Sequence, residues 1–142
     1  MNLSGHGVIK IRFLPANVRR FNFEKGRLSM TFCEKVYYIC KLIPEGKVVT
    51  YGQIAIIIGK PRAPRQVGGA LHRSPKGMYL PAHRVINRDG VLTGAAAFTF
   101  EKEQESRLRA EGVEVLHSKV DLKKYRWNPS RKELEKIAEM IK

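Results

Sequence analysis

Residues 50–73 read TYGQIAIIIGKPRAPRQVGGALHR and predict two short helices separated by a tight turn. Thr50 and Gln53 have capping-box spacing, in which the two side chains bond to free amides of the first helical turn. Gly59 is expected to end this helix. Pro64 suits the first position of the next one, because proline lacks an amide proton and its φ angle already fits a helix. Two short helices in this arrangement predict a helix-turn-helix.

The second helix, which normally meets DNA in such a motif, has an unusual interior. Gly68, Gly69 and Ala70 follow one another there, although each glycine costs a helix about 1 kcal/mol relative to alanine. Two interpretations stay open for these small residues: close packing of helices, or a smooth surface that lets the backbone approach DNA.

The charge distribution points to a polyanionic partner. The chain has 27 Lys and Arg residues against 13 acids, a net charge of +14. Residues 41–88 carry nine Lys and Arg and one acid, whereas residues 89–118 carry three and six. Such a one-sided stretch favours a nucleic-acid-binding face.

Size and composition fit one domain among the 142 residues. Cys33 and Cys40 lie seven residues apart on an expected helix, too far to form a disulfide with each other. We interpret both as reduced core residues, and this indicates an intracellular protein. No apolar run has the length of a membrane span, and no Cys and His residues have metal-ligand spacing.

Three regions are expected along the chain. Residues 1–29 form a basic N-terminal extension of unknown role, in which VIKIRF could be a strand. Residues 30–128 form the main domain, which opens with a Thr31–Glu34 capping box. Residues 129–142 form a C-terminal helix with a Ser130–Glu133 capping box and an apolar stripe. Further short strands are expected at 47–49, 91–93 and 113–116, and a helix at 100–111 capped by Thr99.

Residues 80–90 read LPAHRVINRDG, and His83 in this segment could exchange a proton near neutral pH. No serine, cysteine or threonine stands beside it as a nucleophile. The segment ends in a turn signal, Asp89-Gly90.

Four segments resemble the DNA-binding, active-site domain of O6-alkylguanine-DNA alkyltransferases. They are GKVVTYGQIA, RQVGGALHRSP, LPAHRVINRDGVLTG and RLRAEGVEV, in the family's order and with nearly its spacing, within residues 31–128. The resemblance implies a mainly α single domain with short β elements. Its core would be a winged-helix-like helix-turn-helix, as in the C-terminal domain of those enzymes.

In that family a cysteine takes the alkyl group, a histidine deprotonates the cysteine through water, and a glutamate orients the histidine. Here Ala82 stands at the cysteine position, while His83 and Glu111 match the other two. The alanine methyl group cannot act as the nucleophile. The chain therefore resembles the alkyltransferase-like branch, which binds alkylated guanine without repairing it and flags it for nucleotide excision repair.

The resemblance implies roles for further residues. The second helix of the motif would enter the minor groove, where Tyr51 would push the target phosphate and Arg65 would fill the gap left by the flipped-out nucleotide. The DNA-binding set would be Tyr51, Arg65, Gln66, Gly68, Gly69 and Ala70. The alkylguanine pocket would be lined by Tyr51, Ala82, Val85, Thr93, Ala95 and Ala96. Because Ala95 replaces a family tyrosine, adducts larger than methyl are expected to fit.

The expected partners are double-stranded DNA with O6-alkylguanine and nucleotide excision repair proteins, with no membrane, cofactor or metal, for a chain that is expected to be a monomer. Three alternatives stay open. The first is a true alkyltransferase whose cysteine has been replaced by alanine. The second is an alkyltransferase with another nucleophile, against which the core positions of Cys33 and Cys40 speak. The third is a helix-turn-helix transcription regulator, which would not explain PAHRVI.

Overall fold

The computed structural model describes residues 19–22, 27–92 and 101–142, with side chains for 29–92 and 102–142. The helices are α1 (Phe32–Leu42), α2 (Tyr51–Ile58), α3 (Pro64–His72), α4 (Glu101–Ala110), α5 (Leu122–Tyr125) and α6 (Arg131–Ile141). The strands are β1 (Arg19–Asn22), β2 (Arg27–Met30), β3 (Val49–Thr50) and β4 (Val85–Ile86), and a 3-10 turn spans Ala82–Arg84. No helix in these ranges has the length and apolar character needed to cross a bilayer.

The pairing of β3 with β4 sets the geometry of the molecule. These strands are parallel, with Val49 opposite Val85 and Thr50 opposite Ile86. Strand β3 leads directly into α2, and β4 directly follows the 3-10 turn. The start of the helix-turn-helix is therefore fixed beside the 3-10 turn of Ala82–Arg84, which contains His83 and is called the histidine turn below. The other two strands, β1 and β2, pair antiparallel within and just beyond the expected N-terminal extension.

The main core lies between α1 and the helix-turn-helix. Helix α1 buries Val36, Tyr38 and Ile39 completely, and it packs on both α2 and α3. Cys40 is also fully buried, while Cys33 is only partly buried, and both cysteines are free thiols. A second apolar cluster lies under α4 and the segment that follows it; it comprises Val48, Ile86, Leu92, Leu108, Val113, Val115 and Val120.

The predicted helix boundaries are confirmed at several places. The capping boxes at Thr31 and Ser130 are both complete. Thr50 accepts a hydrogen bond from the Gln53 amide at 3.0 Å. The other half of that capping box is wrong, because the Gln53 side chain donates instead to the Trp127 carbonyl at 2.6 Å. Gly59 ends α2 in the left-handed conformation.

The predicted strands are less regular than expected. The one at 47–49 shifts to Val49–Thr50. Among the described residues of the strands expected at 91–93 and 113–116, Val91 and Leu116 each form a single bridge, in both cases to Lys119. A tight turn with positive φ at His117 and Ser118 follows the second of these segments. Helix α5 was not predicted. VIKIRF and Thr99 lie outside the described residues.

A glycine comparison tests how tightly the turn after β4 packs. Gly59 and Gly90 have φ angles of +90° and +79°; a Cβ at Gly59 meets nothing within 4 Å, whereas one at Gly90 runs into the Val120 carbonyl. We expect Gly59→Ala to cost about 1–2 kcal/mol through its backbone conformation alone, and Gly90→Ala to cost clearly more. Urea denaturation measures both. Equal losses would contradict tight packing at Gly90.

Candidate nucleic-acid interface

The outer face of α3 carries two glycines between the longer side chains of Arg65 and His72. Arg65, Gly68, Gly69 and His72 recur at the spacing of one helix face. The two glycines are partly exposed, and the flanking Arg65 and His72 are exposed. The expected Gln66 is also exposed, beside this face. Five of the six expected DNA-binding residues, namely Tyr51, Arg65, Gln66, Gly68 and Gly69, thus have at least part of their surface accessible.

Ala70 requires a correction, because it lies on the opposite face of α3. It is fully buried, together with Val67 and Leu71. Its carbonyl accepts a hydrogen bond from the Tyr37 hydroxyl at 2.9 Å. Ala70 therefore joins α3 to α1 and belongs to the core, so its methyl group is not available to DNA.

Neighbouring side chains use the space that the two glycines leave. A Cβ at Gly68 would lie 3.7 Å from the Tyr51 ring, and one at Gly69 would lie 2.9 Å from Nη1 of Arg73. Tyr51, the first residue of α2, therefore lies beside the glycine face of α3. The helix-turn-helix thus brings Tyr51 to the same face that carries Arg65.

The charge of this surface is uniformly positive. Residues 50–73 contain no acid, and Lys60, Arg62, Arg65 and Arg73 are all exposed. A phosphate backbone approaching α3 would therefore meet basic side chains and no carboxylate from this motif.

The histidine turn lies beside the start of α2. Ala82, at its first position, is 4 % exposed, and His83 is buried. Nε2 of His83 lies 2.7 Å from Oε2 of Glu111. Because an ionised carboxylate only accepts hydrogen bonds, Nε2 is the protonated nitrogen of the ring. Burial lowers the pKa of His83, and this outweighs the hydrogen bond and charge of Glu111, which raise it. The imidazole is therefore neutral at pH 7.

Arg84 and Glu111 form a largely buried ion pair below the turn. Nη2 of Arg84 lies 2.6 Å from Oε2 of Glu111, and Nε donates to both carboxylate oxygens. Nη1 of Arg84 donates to the Ile43 carbonyl at 2.8 Å, and the Gly46 amide donates to Glu111 at 3.2 Å. Burial would raise the pKa of Glu111, but the hydrogen bonds from Arg84, His83 and Gly46 lower it to about 2.

Sequence reasoning missed Gln104, which stabilises the turn from α4. Gln104 is buried, and its Nε2 donates to the carbonyls of His83 and Val85 at 3.3 and 3.1 Å. The available signal was its position seven residues, about two helical turns, before Glu111, because α4 extended by one residue would carry both side chains on the same side. The anchoring contacts at Ile43 and Gly46 use backbone atoms, so no residue type indicates them.

The expected alkylguanine pocket is described only in part. Ala82 and Val85 are buried, and Tyr51 is partly buried. Thr93, Ala95 and Ala96 lie outside the described residues. Within the described ranges no group of three or more His, Cys, Asp or Glu side chains could hold a metal ion.

Comparison with known proteins gives consistent matches. The family described as 6-O-methylguanine DNA methyltransferase, DNA binding domain, matches residues 31–113. A DNA base-flipping protein of Escherichia coli is 48% identical over 108 residues, which are 74% of this chain and 81% of that protein. Alkyltransferase-like protein 1 of Schizosaccharomyces pombe is 40% identical over 103 residues, 69% of this chain and 95% of that one.

Among solved structures, S. pombe Atl1 in complex with damaged DNA containing O6-carboxymethylguanine superposes with a TM-score of 0.63 and 40% identity. The match covers 69% of this chain and 95% of the S. pombe chain. The similarity therefore extends from the sequence motifs to the fold.

The Arg84–Glu111 pair makes a prediction about acid stability. The folded-state pKa of Glu111, about 2, lies below the ordinary 4.5. The contribution of Glu111 to the free energy of unfolding is therefore present above pH 4.5 and is lost as the pH falls towards 2. We expect Glu111→Gln to cost about 2–3 kcal/mol at neutral pH and to lose less stability than the wild type on acidification.

Urea denaturation across this pH range provides the measurement, with the exposed Glu114→Gln as the matched control. A Glu111→Gln curve parallel to the wild type at all pH values would contradict the role of this carboxylate.

Proposed function

The chain belongs to the family of 6-O-methylguanine DNA methyltransferase DNA-binding domains, and on this premise we propose that it is a non-enzymatic DNA damage sensor. It binds O6-alkylguanine in duplex DNA by flipping the nucleotide out of the helix, and it leaves the lesion chemically unchanged. The relatives named as a base-flipping protein and an alkyltransferase-like protein, and the structure with damaged DNA, support this proposal.

The observation that carries the proposal is Ala82 in the histidine turn. Alkyl transfer needs a thiolate at the reacting carbon, and a methyl group offers no electron pair. Cys40 does not replace it, because burial raises its pKa to about 12 despite the nearby positive charges of Arg84 and Lys41. Cys33 is not part of the histidine turn either, because it lies on α1, where its Sγ is 3.8 Å from Nη2 of Arg73.

The helix-turn-helix supplies the parts that nucleotide flipping needs. A guanine inside a duplex must leave the stack before its O6 substituent can be inspected, at a cost of a few kcal/mol. In our proposal Tyr51 presses on the target phosphate and Arg65 fills the vacated stack. Gly68 and Gly69 carry no side chains of their own, so that in our proposal α3 can enter the narrow minor groove with Tyr51 and Arg73 beside the glycines.

The histidine turn supplies a fixed wall for the flipped base. His83 is neutral and bonded to Glu111, so it orients the turn and offers hydrogen bonds without a cysteine to deprotonate. Together with Tyr51, Val85 and the segment containing Thr93, Ala95 and Ala96, Ala82 would line the alkyl site. The small side chains at 82 and 95 favour adducts larger than methyl.

The recruitment of repair proteins follows from the lack of alkyl transfer. A sensor that leaves the lesion in place needs other proteins to remove it, and we propose nucleotide excision repair proteins as those partners. We further propose that the chain acts as a monomer, inside the cell where DNA is found.

The first test is binding combined with intact mass. We expect a duplex with one O6-methylguanine to bind more tightly than the undamaged duplex, while the mass of the protein stays unchanged after incubation. Fluorescence anisotropy and mass spectrometry measure the two quantities. A gain of one methyl group would identify a transferase, and equal binding of both duplexes would favour a helix-turn-helix regulator.

The second test separates flipping from electrostatic adhesion. We expect Arg65→Ala and Tyr51→Ala each to weaken lesion binding by about 1–3 kcal/mol. The first leaves the vacated stack unfilled, and the second leaves the target phosphate without its contact. Lys47→Ala is the matched control, since Lys47 is exposed and lies outside the helix-turn-helix. Anisotropy at one fixed salt concentration gives the comparison. Equal losses in all three variants would rule out flipping by these residues.

A further inference from the structure

Helix α2 has a second face, which the proposed DNA contact does not use. With about 3.6 residues per turn, Tyr51 and Ala55 lie on one side of the helix, and Gly52 and Ile56 lie towards the other. Gln53 and Ile57 continue this second face. The side towards α3 thus carries Tyr51, and the side away from it is formed by Gly52, Gln53, Ile56 and Ile57.

This second face forms one wall of an apolar groove. The opposite wall comes from Arg126, Asn128 and Pro129 and from Leu134 of α6, and Arg88 lines the groove as well. Ile56 is 65% exposed and Leu134 is 38% exposed. Exposed apolar side chains gathered in one groove are typical of surfaces that bind another molecule.

The charge of the groove is as one-sided as that of the DNA-binding face. Its lining includes two arginines and no acid. Neither Arg88 nor Arg126 forms an ion pair within the described ranges. An occupant that covers Ile56 and Leu134 with apolar side chains and offers carboxylates to the arginines would complement the groove.

We propose that this groove docks an acidic, apolar peptide segment of a partner protein. The apolar wall distinguishes such a segment from a bare phosphate backbone, which would leave the isoleucines uncovered. A second copy of this chain is a poor occupant, because it carries a net charge of +14. The chain's own residues 1–18 and 93–100 are poor occupants as well. The first contain Lys10 and Arg12 and no acid, and the second contain no charge.

The position of the groove gives the docking its consequence. Because the groove and Tyr51 lie on opposite sides of α2, a partner peptide and DNA can occupy the protein together. This consequence rests on the proposed damage-sensing function, whereas the docking itself does not depend on it.

The test uses a display library of random peptides selected on the full wild-type chain. We expect the enriched peptides to combine Asp or Glu with large apolar residues. In anisotropy titrations, Ile56→Asp and Leu134→Asp should each weaken the binding of these peptides by at least about tenfold, as at an interface hot spot. Leu116→Asp is the matched control, because Leu116 is 62% exposed, outside the groove, and the substitution adds the same charge.

Arg126→Gln independently measures the electrostatic contribution to peptide binding. It should weaken the binding of the enriched peptides and reduce the salt dependence of that binding. Lack of acidic enrichment, or peptides that bind Ile56→Asp as well as Leu116→Asp, would overturn the proposal.

Lesion-duplex binding separates this proposal from the function proposed above. Ile56→Asp and Leu116→Asp should bind lesion duplex equally well. A specific loss in Ile56→Asp would assign the groove to the DNA interface and overturn peptide docking. If the wild type does not distinguish damaged from undamaged duplex but the peptide results hold, the sensor function fails and the docking groove stands.

Discussion

The architecture of the site depends on the ion pair between Arg84 and Glu111. Burying a carboxylate and a guanidinium is stabilising only when their hydrogen bonds are satisfied. Here Glu111 accepts from Arg84, His83 and the Gly46 amide, and Arg84 also donates to the Ile43 carbonyl. One pair therefore joins the end of α1, the histidine turn and the residue after α4. Loss of either charge would leave the other largely buried without its counter-charge.

The same constraint reaches the proposed DNA-binding face through the backbone. The histidine turn continues into β4, β4 pairs with β3, and β3 leads into Tyr51 at the start of α2. In the alkyltransferases that the sequence resembles, this arrangement would orient a base towards a cysteine. In this chain it holds Ala82 instead. In the proposed function this arrangement would hold a flipped base against Ala82 without reacting with it.

Local signals predicted the helices well, and distant contacts were where prediction failed. Thr50, Gly59 and Pro64 mark the helix-turn-helix because each acts on its own neighbours in sequence. Gln53 satisfies the capping pattern equally well, yet it bonds to the Trp127 carbonyl 74 residues away. Ala70 was assigned to the DNA face by the motif, although helical spacing from Val67 and Leu71 places it in the core. Residue patterns therefore could not reveal the distant partner of Gln53, whereas the helical spacing around Ala70 already carried the signal for its burial.

Helix α2 shows why the C-terminal segment matters to the DNA-binding unit. Its sequence, YGQIAIII, contains one glycine and four β-branched isoleucines, which are weak helix formers. Packing and capping must therefore supply its stability. Thr50 caps it, α1 and α3 cover its buried side, and Gln53 ties it to Trp127. Helix α6 packs against it as well. The position of Tyr51 thus depends on residues beyond the helix-turn-helix, and a partner bound between α2 and α6 would act on the helix that presents Tyr51.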